Sequence, residues 1–330
     1  MKYGLLTYAE NNSFFNIGDY IQSLAAKQFL PQVDRFINRE KLSQYKDENV
    51  KLIMNGWFTH NIRHWIPSGK IIPLFVSFHI NNTASPFLLN EKGVSYLKKH
   101  EPIGCRDGFT VEILKEKGIE AYFTGCLTLT LDSYKVDDSL RTDKIYIVDP
   151  LYGYVTRKKI MNNYKAFLKS IWSGKIFELG KRSQHIKKII DKNILKNAVY
   201  INHEPKAGMF SQEEKFKMAE DLLNQYARAK LVITSRIHCA LPCLALGTPV
   251  VFINGFDDFV DSCRFDGILD LFNRIDIDAE TGQFKANFAL NGKITKNLEV
   301  KNPEKYQDLA NKLKDCCKKF INSDRVENKQ

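Results

Sequence analysis

Residues 230–252 read KLVITSRIHCALPCLALGTPVVF. The β-branched, apolar run from Lys230 to Thr234 predicts a short buried strand. Leu241, Leu244 and Ala245 recur at helical spacing between Cys239 and Leu246, so a helix follows. Gly247 stands where a helix ends in a left-handed residue, and Val250 to Phe252 begin another strand. Pro242 has no N–H, which a helix tolerates only near its start, so this helix begins close to His238. Between strand and helix lie Ser235, Arg236, Ile237 and His238. A turn of this kind aims unpaired backbone N–H groups and the positive helix end at whatever sits in front of it. An arginine able to grip an anion and a histidine able to move a proton thus stand at the mouth of an anion-binding turn. These four residues are the first candidate site: Arg236 and His238 for catalysis, Ser235 and Ile237 for contact with substrate.

The rest of the chain repeats the same alternation. KYGLLTY (residues 2–8) is a first strand. A polar loop follows, and Gly18-Asp19 opens a helix carrying Ile21, Leu24, Ala25 and Phe29 on one face. Further strands are expected at 51–55, 74–78, 102–105 and 121–123. A helix is expected over 87–99, and another over 108–117, capped by Asp107 and ended by Gly118. The polar stretch 132–143 marks a boundary. It divides an N-terminal Rossmann-like unit, 1–132, on the acceptor side, from a C-terminal one, 143–330, on the donor side. In the second unit, strands are expected at 145–148 and 198–201. Ser211 and Glu214 form a capping box, and a last helix covers 304–320. The fold class is therefore α/β, with two Rossmann-like domains facing across a cleft.

In such sheets ligands lie beyond the carboxyl ends of the strands, and that rule gives the other candidates. Arg106 ends a strand and has no local structural role, whereas capping explains Asp107. Asn16, Gly18 and Asp19 follow the first strand: Gly18 permits a close backbone approach, and Asp19 can accept hydrogen bonds from a sugar hydroxyl. His79 and His203 share the strand-end position.

Composition narrows the partners. Lys and Arg outnumber Asp and Glu by 49 − 38 = 11, which favours anionic ligands or surfaces. Seven scattered cysteines without zinc or disulfide spacing fit a reducing, cytoplasmic setting. The N-terminus, MKYGLLTYAE, lacks the pattern of a signal peptide. Residues 157–188 form a basic insert in which Ile160, Tyr164, Phe167, Leu168 and Ile171 share a helix face beside Trp172. It reads either as a surface helix packed on the sheet or as an element for peripheral contact with an anionic membrane, at its inner face. The GxGxxG, P-loop, GxSxG and HExxH motifs are absent. No nucleic-acid motif is recognised, and neither a metal nor a cofactor is expected.

Four motifs in order give the chain a resemblance to the polysaccharide pyruvyltransferase family. They are Asn16-Ile17-Gly18-Asp19, Gly104-Cys105-Arg106-Asp107, Gly125 to Leu131 (GCLTLTL), and Thr234-Ser235-Arg236-Ile237-His238 continuing to Leu246-Gly247-Thr248-Pro249-Val250. The resemblance implies a fold similar to GT-B glycosyltransferases, with the active site between the domains. It implies transfer of a pyruvyl group from phosphoenolpyruvate to a sugar of a cell-surface polysaccharide or its lipid-linked precursor, as a ketal. Arg236 and His238 match the family's Arg-x-His motif, and Arg106 its first-domain arginine. The competing readings are a glycosyltransferase with a nucleotide-sugar donor and a basic module binding nucleic acid or membrane.

Overall fold

The computed structural model describes all residues except 9–14, 157–160, 162–166, 169–170, 173–174, 206–207, 209, 256–261 and 324–330. Two six-stranded sheets carry the chain. The first contains β1 (Lys2–Thr7), β2 (Arg35–Asn38), β3 (Val50–Trp57), β4 (Ile71–His79), β5 (Ile103–Cys105) and β6 (Ala121–Phe123). Its order is β2-β1-β3-β4-β5-β6, and every described pair is parallel. The second contains β7 (Ile145–Val148), β8 (Val199–Ile201), β9 (Leu231–Thr234), β10 (Val250–Asn254), β11 (Asn273–Ile277) and β12 (Phe284–Ala286), in the order β12-β11-β10-β9-β7-β8. Here β11 and β12 pair antiparallel.

Read from its opposite edge, the second sheet repeats the order of the first. In each, the earliest strand lies one in from the edge, with the next strand outside it and the third inside. The winding direction therefore reverses between β1 and β3 and again between β7 and β9. Such reversals open a crevice at the carboxyl ends of the flanking strands, where doubly wound sheets hold their ligands. This is the two-domain Rossmann-like architecture that the alternating sequence predicts.

Local chemistry explains most boundaries. Asn16 caps the helix Ile17–Lys27, its side chain accepting from Gly18 N. Asp107 caps Gly108–Glu116 through Thr110 N. Ser211 and Glu214 complete the capping box of Gln212–Ala227. Gly118 and Gly247 both take φ +67°, as helix-ending residues do. The single helix expected over 87–99 is two, Ser85–Leu88 and Glu91–Lys98. Asn90 begins a new cap by accepting from Gly93 N, and Gly93 lies so close to the Leu88 carbonyl that only glycine fits. Strands β2, β11 and β12 were not expected. β2 is four residues long, with Ile37 its one fully buried side chain.

The units are joined by packing and by hydrogen bonds. Helix Ile17–Lys27 lies against Gln212–Ala227; Tyr20 Oη donates to Gln212 Oε1 at 3.0 Å. One apolar core runs through both sheets' facing helices, and a second fills the far side of the second sheet. The last helix, Tyr306–Asn322, returns to the first sheet. There the ammonium of Lys51, on β3 and 2% exposed, donates to the carbonyls of Phe320 (2.7 Å) and Ile321 (3.0 Å). A cation thus closes the negative end of that helix.

Of the basic insert, Ile160 and Tyr164 lie outside the described residues. Phe167, Leu168, Ile171 and Trp172 are exposed, Trp172 by 94%. Among the described residues no helix is long and apolar enough to cross a membrane.

Candidate active site

The two strand reversals face each other, and the candidate residues fall at their mouths. After β1, Ile17 N donates to His203 O at 2.9 Å, tying the first helix to the loop after β8. A Cβ on Gly18 would sit 3.1 Å from His238 Cβ and 3.2 Å from its Nδ1. Glycine here lets the start of the first helix press against the His238 ring. His238 occupies the first turn of Ile237–Ala245, a helix with no side-chain cap. It is 6% exposed, and its Nε2 is buried without a hydrogen-bond partner.

From the first sheet, β4 and β5 supply a second group. His79 Nδ1 lies 2.6 Å from Asp107 Oδ2, and the other oxygen, Asp107 Oδ1, accepts from Thr110 Oγ1 at 2.7 Å. Arg106 is 1% exposed; its Nε lies 3.6 Å from Asp107 Oδ2 but has no hydrogen-bond partner. Asp19 accepts from Gln22 Nε2 at 3.1 Å, with Arg39 at 4.0 Å.

Arg236 is differently placed. Its Nε donates to Asp149 Oδ2 and its Nη1 to Glu204 Oε1, both at 2.9 Å, and its guanidinium stacks 3.9 Å over the Tyr152 ring. Asp149 Oδ2 also accepts from His203 N at 2.9 Å, so Arg236 braces the loop that carries His203. Ser235 is inside the sheet: it donates to Ile253 O at 2.6 Å and accepts from Leu151 N at 2.8 Å. Ile237 is core. The structure therefore gathers Asn16, Gly18, Asp19, His79, Arg106, His203 and His238 around one crevice, with Arg236 at its edge and Ser235 and Ile237 behind it.

A model of the polysaccharide pyruvyl transferase family matches residues 16–257. The chain belongs to that family. The matched span starts at the Asn16 cap and ends just past β10, so it takes in both mouths of the crevice. No curated protein sequence matches the chain. Among solved structures, a functionally uncharacterized protein from Klebsiella pneumoniae subsp. pneumoniae NTUH-K2044 is similar at 14% identity and a TM-score of 0.42, over 81% of this chain and 88% of that one.

The electrostatics of this transferase's crevice follow from burial. His79 is pushed down to about 4 by burial and by the Arg106 charge, against the pull of Asp107. His203 is pushed down to about 3 by burial and then by Arg236. His238 is held well below the ordinary histidine value by burial, then by Arg106, Arg264, His203 and Arg236. All three imidazoles are neutral near pH 7. Burial lifts the Asp19 carboxyl even though Arg39, Arg264, His60 and Arg106 pull it down. Burial also lowers the Arg106 guanidinium, whereas Glu204 and Asp149 outweigh burial and raise Arg236. Arg236 holds two carboxylates at 2.9 Å, whereas the one ion pair of Arg106, with Asp107 at 3.6 Å, does not offset its burial.

Several residues here escape sequence reasoning. Arg39 follows the unexpected β2; its guanidinium lies between the Tyr8 and Trp57 rings at 4.7 and 4.9 Å and its Nε bonds Glu40 at 2.9 Å. His60 sits edge-on to Trp57 at 4.1 Å. Arg264 lies in the turn after β10. It stands ten residues beyond the end of that strand, too far for the strand-end rule to single it out. Among the described residues no cluster of His, Cys, Asp and Glu is placed to hold a metal ion.

Proposed function

We propose that this transferase moves the pyruvyl group of phosphoenolpyruvate onto two hydroxyls of a sugar, forming a ketal. The observation that carries the reading is the buried Arg106 guanidinium, a cation without a hydrogen-bond partner at Nε, facing the crevice that the unpartnered Nε2 of His238 also borders. The carboxylate partner of Arg106, Asp107, stands 3.6 Å away and is shared with His79 and Thr110, and a buried charge so weakly paired costs several kcal/mol. A phosphate-and-carboxylate donor supplies the missing negative charge.

The chemistry then follows from the residues. Donor anions offset the surrounding cations and raise the affinity of His238 for a proton. His238 gives that proton to the donor's methylene carbon, making a methyl group and an electron-poor C2. An acceptor hydroxyl attacks C2 and its proton returns to His238, or passes to Asp19 on the opposite lip. The C2–O bond to phosphate breaks, a second hydroxyl closes the ketal, and its proton leaves with the phosphate. Two hydroxyl protons are lost, one ending on the methyl and one on phosphate, so the step balances.

The acceptor is a glycan, free or lipid-linked. For a lipid-linked acceptor, the exposed Phe167, Leu168, Ile171 and Trp172 supply contact with an anionic bilayer. Cosedimentation with vesicles with and without an anionic lipid tests that contact, and equal pelleting of wild type and Trp172→Glu counts against it.

For the activity, purified protein is incubated with phosphoenolpyruvate and candidate glycans, and phosphate release is followed. Protection from heat by a nucleoside diphosphate, and none by phosphoenolpyruvate, would move the reading to a nucleotide-sugar glycosyltransferase.

A further inference from the structure

The turn Ser262–Phe265, between β10 and β11, is used by neither the family motifs nor the chemistry above. It docks on the first unit. Gly108 N, at the start of the helix Gly108–Glu116, donates to Asp266 O at 3.2 Å, and a Cβ on Gly108 would fall 2.3 Å from Asp266 Oδ2. A side chain at 108 would have to push the exposed Asp266 carboxylate aside. Phe265 anchors the turn in the core. The docking carries Arg264 to the crevice, where its charge acts on Asp19, His79, Arg106 and His238. Its Nε is buried without a hydrogen-bond partner, as is that of Arg106.

The neighbouring carboxylates are already committed. Asp107 holds His79 and Thr110, and Asp19 holds Gln22 and faces Arg39. Two guanidiniums, one from each unit, therefore act on one crevice whose carboxylates Asp107 and Asp19 are shared with other side chains. Like charges brought together out of water are tolerated where an anion joins them.

We propose that Arg264 is a ligand-binding residue that, with Arg106, grips the phosphoryl end of a small anion across the crevice. This rests on the crevice being the donor site, but it asks only for a phosphoryl anion and not for phosphoenolpyruvate in particular. Because the two arginines come from different units, the bound anion is a clasp between them.

The test uses the full chain, with inorganic phosphate and phosphoenolpyruvate as probes, in titration calorimetry and thermal melts. Arg264→Gln should weaken binding of both probes by about ten- to hundredfold, as loss of a charged hydrogen bond does. Arg264→Lys should recover part of it. Without anion, Arg264→Gln should melt at or above the wild-type temperature, since it removes an uncompensated charge; a purely structural arginine would lower it. Arg274→Gln, at a surface ion pair on β11, should leave binding unchanged. Wild-type affinity for both anions in Arg264→Gln would overturn the proposal. If phosphate but not phosphoenolpyruvate binds wild type, and Arg264→Gln abolishes it, the clasp stands and the donor reading falls. If neither anion binds wild type, both fall.

Discussion

The turns after β5 and after β9 look alike in sequence: each ends a buried strand, presents an arginine and opens a helix. Their physics is opposite. After β5 the helix is capped by Asp107, and Arg106 is dry and lacks a hydrogen-bond partner at Nε. After β9 the helix has no side-chain cap and Arg236 is saturated by Asp149, Glu204 and Tyr152. The first turn thus offers a side-chain charge and keeps its helix end closed. The second offers an uncapped helix end and His238, and uses its arginine as a brace. An arginine in a motif becomes informative once its counter-ions are known.

Four experiments press on that contrast. The largest effect belongs to the group the second turn offers: His238→Gln should lower kcat by about 10²- to 10⁴-fold, read as phosphate release, with melting little changed. An unaltered rate would remove His238 from the chemistry. Next, Arg106→Met and Arg236→Met should move stability in opposite directions. Removing Arg236 strands two carboxylates and should cost about 3 kcal/mol in denaturant unfolding. Removing Arg106 should leave stability equal or higher while abolishing donor binding. Equal losses would erase the difference between the turns.

Third, Gly18→Ala should crowd the His238 ring by a few tenths of an ångström. That should reduce kcat about tenfold, with a stability loss of about 1 kcal/mol. Gly108→Ala should instead displace the Asp266 turn and raise KM for the donor. The smallest effect is in pH. His79 and His203 have folded values near 4 and 3, below the ordinary 6.5. Below pH 6.5 the unfolded chain takes up protons that the folded one refuses. Stability should therefore fall as pH drops from 6.5 toward 4, by up to about 1.4 kcal/mol per pH unit for each histidine. A flat unfolding curve over that window would show that these imidazoles are hydrated.

What the sequence discloses and what it hides divide along range. The strand, turn and helix around His238, the Asn16 and Asp107 caps and the Ser211 capping box are local codes. They depend on residues within about four positions, and they could be read directly. The alternation also exposes the two-sheet architecture. Hidden were β2, too short to show a period, and the break at Asn90, which depends on how Gly93 meets the Leu88 carbonyl. The standing of Arg236 depends on Asp149, 87 residues earlier in the chain. Arg264 and Arg39 belong to no motif and matter through what lies opposite them, which spacing does not encode.

The Lys51 clasp on the last helix bears on how the chain is made. During synthesis β3 emerges long before Phe320 and Ile321, whose carbonyls later receive its ammonium. Until then the first sheet must keep that lysine in water or bury it alone. The first unit therefore completes its packing only after the helix Tyr306–Asn322 has been made, later than every strand of both sheets.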